Sequence, residues 1–289
     1  MKRALTKLSP CFGDKTYVSL MYYLYTGRRL DLDNPQTMRE KLQWLKLNFR
    51  EPLMTTMVDK LAVKDYVRGI LGDGYVIPVI AEWDTADAID FSSLPHQFVL
   101  KTTHSGGNTG VVICNDKDRL DTEGARRKLS TAMGVDIYKR YREWPYKNVK
   151  KRIFAEQFLG EDLTDYKFYC FNGLADSVLI CVDRQKGAVK YYFFDHEWRL
   201  CRYNKWGVEA SADFTLPRPK TLDRMFELAA NLSKGFPFIR VDFYDVSGKI
   251  YFGEFTFYPS SGFSLNGRLE ETDEYFGRMI DLGIVKRKT

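Results

Sequence analysis

The stretch Ile239–Gly262, IRVDFYDVSGKIYFGEFTFYPSSG, decides how the rest of the chain is read. Its density of strand formers reads as a β-hairpin about Gly248. Yet it sets Arg240, Asp242 and Glu254 where apolar residues would pack better. Side chains alternate faces along a strand with period two, so Arg240, Asp242 and Tyr244 share one face of the first strand, and Phe252, Glu254 and Thr256 one face of the second. Pairing symmetric about Gly248 sets Asp242 opposite Glu254 and Arg240 opposite Thr256; a four-residue turn Asp245–Gly248 would slip the register and offset the carboxylates. Two adjacent carboxylates repel unless a cation lies between them. Hard oxygen ligands on a rigid strand pair suit Mg²⁺, which takes one or two carboxylates and leaves its other positions to phosphate and water. The same charges also fit an ion-paired edge strand guarded against aggregation.

A second stretch, HQFVLKTTHSGGNTGVVICN, reads as strand, Gly-rich turn, strand. Lys101 leaves the first strand into a turn with Gly106, Gly107 and Gly110, whose N–H groups can approach a polyphosphate without Cβ obstruction. It is not a Walker A loop, because the lysine precedes the glycines and no GK[ST] follows. Alone, it fits an ordinary hairpin turn beside an exposed lysine equally well. With the carboxylate pair downstream, it supplies what a Mg-nucleotide enzyme needs at the two ends of a triphosphate.

Around these stretches the patterns predict α+β with antiparallel sheets rather than a doubly wound parallel sheet, because the strands are joined by hairpin-type turns and the helices are grouped apart. YVSLMYYLYTG and TMREKLQWLKLNF form a helical preface, and TMVDKLAVKDYVRGILG predicts one amphipathic helix ending near Gly72. YVIPVIAEW is a strand interrupted by Pro78, DTEGARRKLSTAMGVDIYKRY is helical, and KRIFAEQFLG is a short strand. DYKFYCFNG, DSVLICVDR and VKYYFFD are strands, and TLDRMFELAANLSKG is a helix. No internal repeat or low-complexity linker is visible.

On these residues the chain resembles ATP-grasp enzymes, and within them the TupA-like branch linked to teichuronopeptide biosynthesis. The resemblance covers most of the chain and implies the ATP-grasp fold, two α+β subdomains with antiparallel sheets clasping ATP, after a helical N-terminal segment. Its boundaries are expected at 1–55 for the helical segment, 56–155 for the part with the lid and phosphate loop, and 156–289 for the part with the metal hairpin. VDKLAVKDYV is similar to the first nucleotide-binding helix, which makes Lys60 a phosphate contact, and FVLKTTHSGGNTGVVI is similar to the second-lysine strand and phosphate loop, with Lys101 the matching cation. His104, Ser105, Gly106 and Gly107 fall in that loop; His104 fits a phosphate cap or local hydrogen bonding equally. FAEQFLGEDLTDYKFY resembles the adenine-gripping hinge: Glu156, Gln157, Phe158 and Leu159 would take the base, and Glu161, Asp162 or Asp165 the ribose. The opening hairpin is similar to the metal hairpin of alanine–alanine ligases, with Arg240, Asp242 and Glu254 matching and Thr256 standing where an Asn is usual. Ser260, Ser261 and Gly262 then belong to a substrate loop over Pro259–Phe263. Lys167 and Arg184 occupy strand patterns from which basic residues of related ligases reach the γ-phosphate or the carboxylate, although solvated strand faces would look the same. EKLQWLKLNFREP also resembles the TupA-like branch, with no catalytic meaning derivable from it.

The resemblance implies ATP-dependent joining of a carboxylate to an amine through an acyl phosphate, with ATP and Mg²⁺ (or Mn²⁺) as cofactors and an amino acid and a uronic-acid-type glycan as partners. That chemistry needs no protein nucleophile, which fits the want of a Ser-His or Cys-His constellation. A sugar kinase or a glycosyltransferase would use the same kind of metal site, but the one DxD pair, Asp31-Leu32-Asp33, lies in the helical preface. A non-enzymatic binder of nucleic acid or acidic glycan is the third reading. It predicts basic residues clustered along one element, whereas here they are spread along the chain and interleaved with acids, with only short clusters such as VKKRIF and VKRKT, so no nucleic-acid partner is expected. Five cysteines without a CxxC pair suit free thiols in a reducing compartment. No apolar run approaches a membrane span and the N-terminus has no apolar signal core, so the cytoplasm is expected, with peripheral contact to a membrane-bound glycan assembly through basic patches. Fifteen per cent aromatic residues, eighteen of them Tyr, suit sugar-facing clefts as well as half-buried strands.

Overall fold

A computed structural model describes residues 6, 9–161, 163–182 and 189–286 of the chain. Helix α1 (Asp14–Thr26) stops at Gly27, whose left-handed backbone (φ 70°) returns its N–H to the Tyr23 carbonyl. Helix α2 (Met38–Asn48) starts from a capping box in which Thr37 and Glu40 satisfy each other's backbone N–H, a device that contributes about 1 kcal/mol. The single helix expected over Thr56–Gly72 is two: α3 (Pro52–Val58) and α4 (Val63–Leu71). Asp59 interrupts them by accepting the N–H groups of Leu61 (2.9 Å) and Ala62 (3.0 Å), the local alternative a short carboxylate offers the backbone.

Strands β1 (Val79–Trp83), β2 (Phe98–Thr102) and β3 (Val111–Cys114) follow, then α5 (Thr122–Met133), α6 (Ile137–Tyr141) and β4 (Ile153–Gln157). The chain continues through β5 (Asp165–Phe171), β6 (Leu174–Val182), β7 (Lys190–Phe194), β8 (Leu200–Cys201), α7 (Lys205–Glu209), α8 (Leu222–Leu232), β9 (Phe238–Val246), β10 (Lys249–Thr256) and α9 (Glu270–Met279). All strand pairs are antiparallel, in a four-stranded sheet ordered β1-β4-β2-β3 and a six-stranded sheet ordered β10-β9-β5-β6-β7-β8.

These elements form two compact units, one of Met1–Arg50 with Thr164–Thr289 and one of Glu51–Leu163. The units divide the chain differently from the boundaries at 55/56 and 155/156 drawn from sequence, because α1 and α2 join the C-terminal strands. Arg39 on α2 explains why: it is buried, and its Nε donates to Asp273 of α9 at 2.8 Å and its Nη2 to Glu270 at 2.6 Å. Partners 234 positions apart leave no trace in a local pattern.

In the four-stranded sheet, Phe98, Leu100, Ile153 and Ala155 bury one face against Ala125 and Leu129 of α5. In the six-stranded sheet, Phe168 meets Phe226 of α8 at 4.9 Å on one face, while Tyr169 stacks on Phe276 of α9 at 5.6 Å on the other. Much of the aromatic content is therefore core. The five cysteines are unpaired, with Cys114 and Cys170 buried. Among the described residues no helix is long and apolar enough to cross a membrane.

The short basic cluster VKKRIF belongs to a longer basic segment. Between residues 137 and 154 the chain carries seven basic residues against Glu143 alone, an excess equal to the +6 of the whole chain. Lys139, Arg140, Lys147, Lys150 and Lys151 of this segment are exposed, whereas Glu143 is buried. The net basic excess is thus carried by one short segment of the Glu51–Leu163 unit, with these five cations exposed.

Candidate active site

The hairpin reaches its register in two steps. Ser247 (φ 53°) and Gly248 (φ 86°) form a two-residue turn, so Val246 pairs with Lys249 and Phe243 with Phe252. Continued unbroken, that register would put Asp242 opposite Gly253. Instead the ladder bulges at Gly253, and Glu254 falls opposite Asp242, with Thr256 opposite Arg240. The bulge also corrects the expected faces: Phe252 pairs with Phe243 on the core side, 4.7 Å from Phe255, and does not share the face of Glu254 and Thr256. A Cβ on Gly253 would lie 3.1 Å from the Asp242 carbonyl oxygen and 3.2 Å from the Tyr244 ring.

Across the sheet, Lys167 of β5 pairs with Asp242, giving a row Glu254, Asp242, Lys167 on three adjacent strands. Arg240 grips Asp242 as a fork, Nε donating to Oδ1 and Nη2 to Oδ2, both at 2.7 Å, and Lys167 Nζ donates to Oδ2 at 2.7 Å. Arg240 Nη2 also reaches Glu254 Oε1 at 3.4 Å, and Asp165 accepts from Lys167. Asp242 is 1 % exposed. Burial pushes its carboxyl pKa up, against the pull of Arg240 and Lys167. Burial would likewise lower Lys167, but Asp242, aided by Asp165 and Glu254, outweighs it and holds the ammonium above its ordinary range. The chain thus surrounds a buried carboxylate with positive charge, the condition under which paired carboxylates persist.

A second ion cluster lies in the Glu51–Leu163 unit. Glu156 of β4, 3 % exposed, accepts from Lys101 of β2 at one oxygen and from Lys64 of α4 at the other, 2.8 Å away. Lys64 also donates to the Ile77 carbonyl at 2.9 Å. Burial alone would raise Glu156; the two lysines outweigh it and hold the carboxyl below its ordinary value. Lys64 itself is pulled below the ordinary lysine range by burial. Around Glu156 the strands align Val79, Glu156, Val99 and Ile113 on one face, and Val79 and Ile113 are exposed. The row is thus apolar and exposed at its two ends, with a buried carboxylate between them, a mixture of apolar surface and a fixed polar group of the kind that orients a small ligand. Gln157 and Phe158 line a pocket of about 540 Å³ with Pro78, Ile80, Pro95, His96 and Gln97. Leu159 follows, half-buried, and Glu161 accepts from Asn115.

The turn between β2 and β3 exposes Gly106 and Gly107, the latter left-handed at φ 56°, while Ser105 is buried and hydrogen-bonded to Thr102. Gly110 is obligatory, because a Cβ there would meet the Thr102 hydroxyl at 2.1 Å. His104 does not face this turn's exposed tip: it is 3 % exposed with Nε2 at 3.2 Å from the Ala132 carbonyl, and burial lowers its pKa. Lys60 precedes α4, and its N–H donates to the Thr103 carbonyl at 2.9 Å, which ties it to the root of the turn.

After β10 the chain enters Pro259–Gly262, where Ser260 (φ 51°), Ser261 (φ 54°) and Gly262 (φ 63°) are left-handed in succession. Lys46 of α2 donates to the Ser261 carbonyl at 2.6 Å, and Gln43 to the Gly262 carbonyl at 2.6 Å.

The family described as TupA-like ATPgrasp matches residues 40–281, which take in both ion clusters and this loop. The chain belongs to the TupA-like ATP-grasp family. It has the α+β ATP-grasp fold expected from its sequence. Similar solved structures are a D-alanine–D-alanine ligase from Helicobacter pylori (14 % identity, covering 86 % of this chain and 70 % of that one, TM-score 0.46) and one from Bacillus anthracis complexed with ATP (15 %, 90 % and 76 %, TM-score 0.49). An N5-carboxyaminoimidazole synthetase from Staphylococcus aureus complexed with ADP is also similar (15 %, 86 % and 59 %, TM-score 0.48). No curated protein sequence matches the chain.

For this TupA-like ATP-grasp chain, the structure brings Arg240, Asp242, Glu254 and Lys167 together, and separately Lys101 with Glu156. It places Asp165 at the start of β5, facing Lys167, not in the preceding turn. Arg184 and Asp162 lie outside the described residues. Sequence reasoning missed Lys64, although a lysine between Val63 and Val67 on the buried side of a helix signals a need for a buried partner. It also missed Gln43 and Lys46.

Proposed function

We propose that this protein is an ATP-dependent carboxylate–amine ligase, working through an acyl phosphate and joining an amino acid to a uronic-acid-type polysaccharide or its precursor. The observation that carries the reading is the row Glu254, Asp242, Lys167, with Arg240 forked onto Asp242. The donor set fits Mg²⁺: two carboxylates in register on a rigid hairpin, one buried and demanding positive charge, with Thr256 offering a further oxygen on the same face. Bound there by Asp242 and Glu254, the ion would neutralise charge on the phosphates. Mn²⁺ would satisfy the same oxygens.

The substrate carboxylate attacks the γ-phosphorus of ATP, forming a carboxyl–phosphate bond as the bond to ADP breaks. The amine then attacks the acyl carbon, forms the C–N bond, loses a proton and expels phosphate. Arg240 and Lys167 would stabilise the anionic acyl phosphate and the oxyanion that follows, with Arg184 a further candidate. Lys60, Lys101 and the amides of Ser105, Gly106 and Gly107 would hold the phosphates. Glu156, Gln157, Phe158 and Leu159 would take the base over the Val99 and Ile113 strip, and Asp162 or Asp165 the ribose. Ser260, Ser261 and Gly262 would receive the substrate. No step requires a protein nucleophile. The exposed cations of residues 137–154 support an anionic acceptor, since a polyuronate is drawn to such a surface.

The test is to incubate the purified chain with Mg-ATP and pairs of amino acid and polyuronate or uronate oligomer, following ADP, phosphate and the conjugate by mass spectrometry. Ligase chemistry yields an amide with ADP and free phosphate in equal amounts. A stable phosphorylated sugar without free phosphate would replace this reading with a kinase.

A further inference from the structure

We infer that Gln43 and Lys46 of α2 are positioning residues for the substrate loop, making the N-terminal helix a working part of the substrate site. This rests on the ligase reading only for what the loop receives; the mechanical relationship stands by itself.

Left-handed backbone at three successive positions, two of them serine, persists only where the surroundings over-determine it. Here the surroundings are α2. Lys46 Nζ and Gln43 Nε2 donate to the carbonyls of Ser261 and Gly262 at 2.6 Å each, and Gln43 also reaches the Ser261 carbonyl at 3.3 Å. The Lys46 ammonium also lies 4.1 Å from the Phe263 ring centroid and 5.6 Å from that of Tyr258. It therefore contacts the residues on both sides of the loop. Tyr25 of α1 stacks on Phe263 at 5.3 Å.

The approach of helix to loop is close: a Cβ on Gly262 would sit 2.6 Å from Gln43 Nε2 and 3.0 Å from Leu42 Cβ, so a side chain there would displace the Gln43 amide and crowd Leu42 at a backbone φ of 63° that already favours glycine. With its carbonyls drawn toward α2, the loop leaves Ser260 exposed and Ser261 half-exposed.

Lys46 is 1 % exposed. Burying an ammonium carries a heavy desolvation penalty, and an apolar side chain would pack the same space without it. What an apolar residue would not do is donate a charged hydrogen bond to a strained carbonyl. The loop follows β10 after Phe257 and Tyr258, so fixing it on α2 sets its position relative to Glu254 and Thr256.

The experiment uses the full chain with Lys46→Met, Lys46→Arg and Gln43→Met. Amide hydrogen exchange over residues 260–263 and affinity for Mg-ATP are measured on each. Lys46→Met is expected to speed exchange of the loop amides roughly tenfold or more, with Lys46→Arg restoring part of the protection and Mg-ATP affinity staying within about twofold. With a pair that turns over in the ligase assay, KM for the loop's substrate rises roughly tenfold while KM for ATP holds. Unchanged loop exchange in Lys46→Met and Gln43→Met overturns the inference, as does a parallel loss of ATP affinity, which would mark a general structural role. Gln43→Met decides the matter if Lys46→Met does not fold. Should the wild type join no pair, the ligase reading fails alone, and the exchange data still accept or reject the clamp.

Discussion

Glu254 lies opposite Asp242 one position later than the Ser247-Gly248 turn alone would set it, and the offset is absorbed by Gly253. The bulge is therefore the device that turns an ordinary hairpin into a pair of facing carboxylates.

Gly253→Val should press its side chain onto the Asp242 carbonyl and the Tyr244 ring. The expected cost is about 1–3 kcal/mol in urea denaturation, with a loss of ATP turnover greater than the loss of folded protein explains. Turnover at the wild-type level would show that the register at Gly253 has no part in the chemistry.

Asp242→Asn and Glu254→Gln keep the shape of each side chain and remove its charge. Each should lower Mg-dependent turnover by roughly 10²-fold or more, with the far-ultraviolet circular dichroism spectrum unchanged. Near-normal turnover in either variant would remove that residue from the metal site.

Glu156→Gln would leave Lys64 and Lys101 facing each other without the carboxylate between them. Breaking a buried pair this way costs about 3–5 kcal/mol, measured by chemical denaturation at neutral pH. The pH dependence has a definite sign. The folded-state value lies below the ordinary 4.5, so the stabilisation is fully present above pH 4.5 and is lost as pH falls through the lowered value. A Glu156→Gln protein should show a shallower acid slope than wild type over that window.

Replacing Lys139, Arg140 and Lys147 together by Gln should weaken binding of polygalacturonate roughly tenfold at low salt and flatten its salt dependence. Binding of Mg-ATP should hold. Polygalacturonate affinity that ignores both salt and the three substitutions would detach the basic segment from the acceptor.

The hairpin, the Lys101 turn and the antiparallel α+β class were legible in the sequence because each rests on local chemistry: strand formers, glycines without Cβ, and alternation. Three features were not. The register of the hairpin depended on one bulged residue, whose place follows from long-range pairing as much as from the turn. Lys60 and Lys64 are four apart, a spacing that puts side chains on one face of a continuous helix, but Asp59 caps a break there and α4 begins only at Val63. It is Lys64, with Lys101, that meets Glu156. The roles of Gln43 and Lys46 hang on carbonyls more than two hundred positions away, beyond any pattern in the helix that carries them.

The division of the chain has a consequence for synthesis. All 113 residues of Glu51–Leu163 are made between α2 and the first strand of the sheet that α2 belongs with. At roughly 5–20 residues per second, α1 and α2 leave the ribosome many seconds before Asp273 and the loop carbonyls exist to receive Arg39 and Lys46. The unit Glu51–Leu163 is contiguous and is made before the partners of α1 and α2, so those two helices wait longer for their contacts than any part of it.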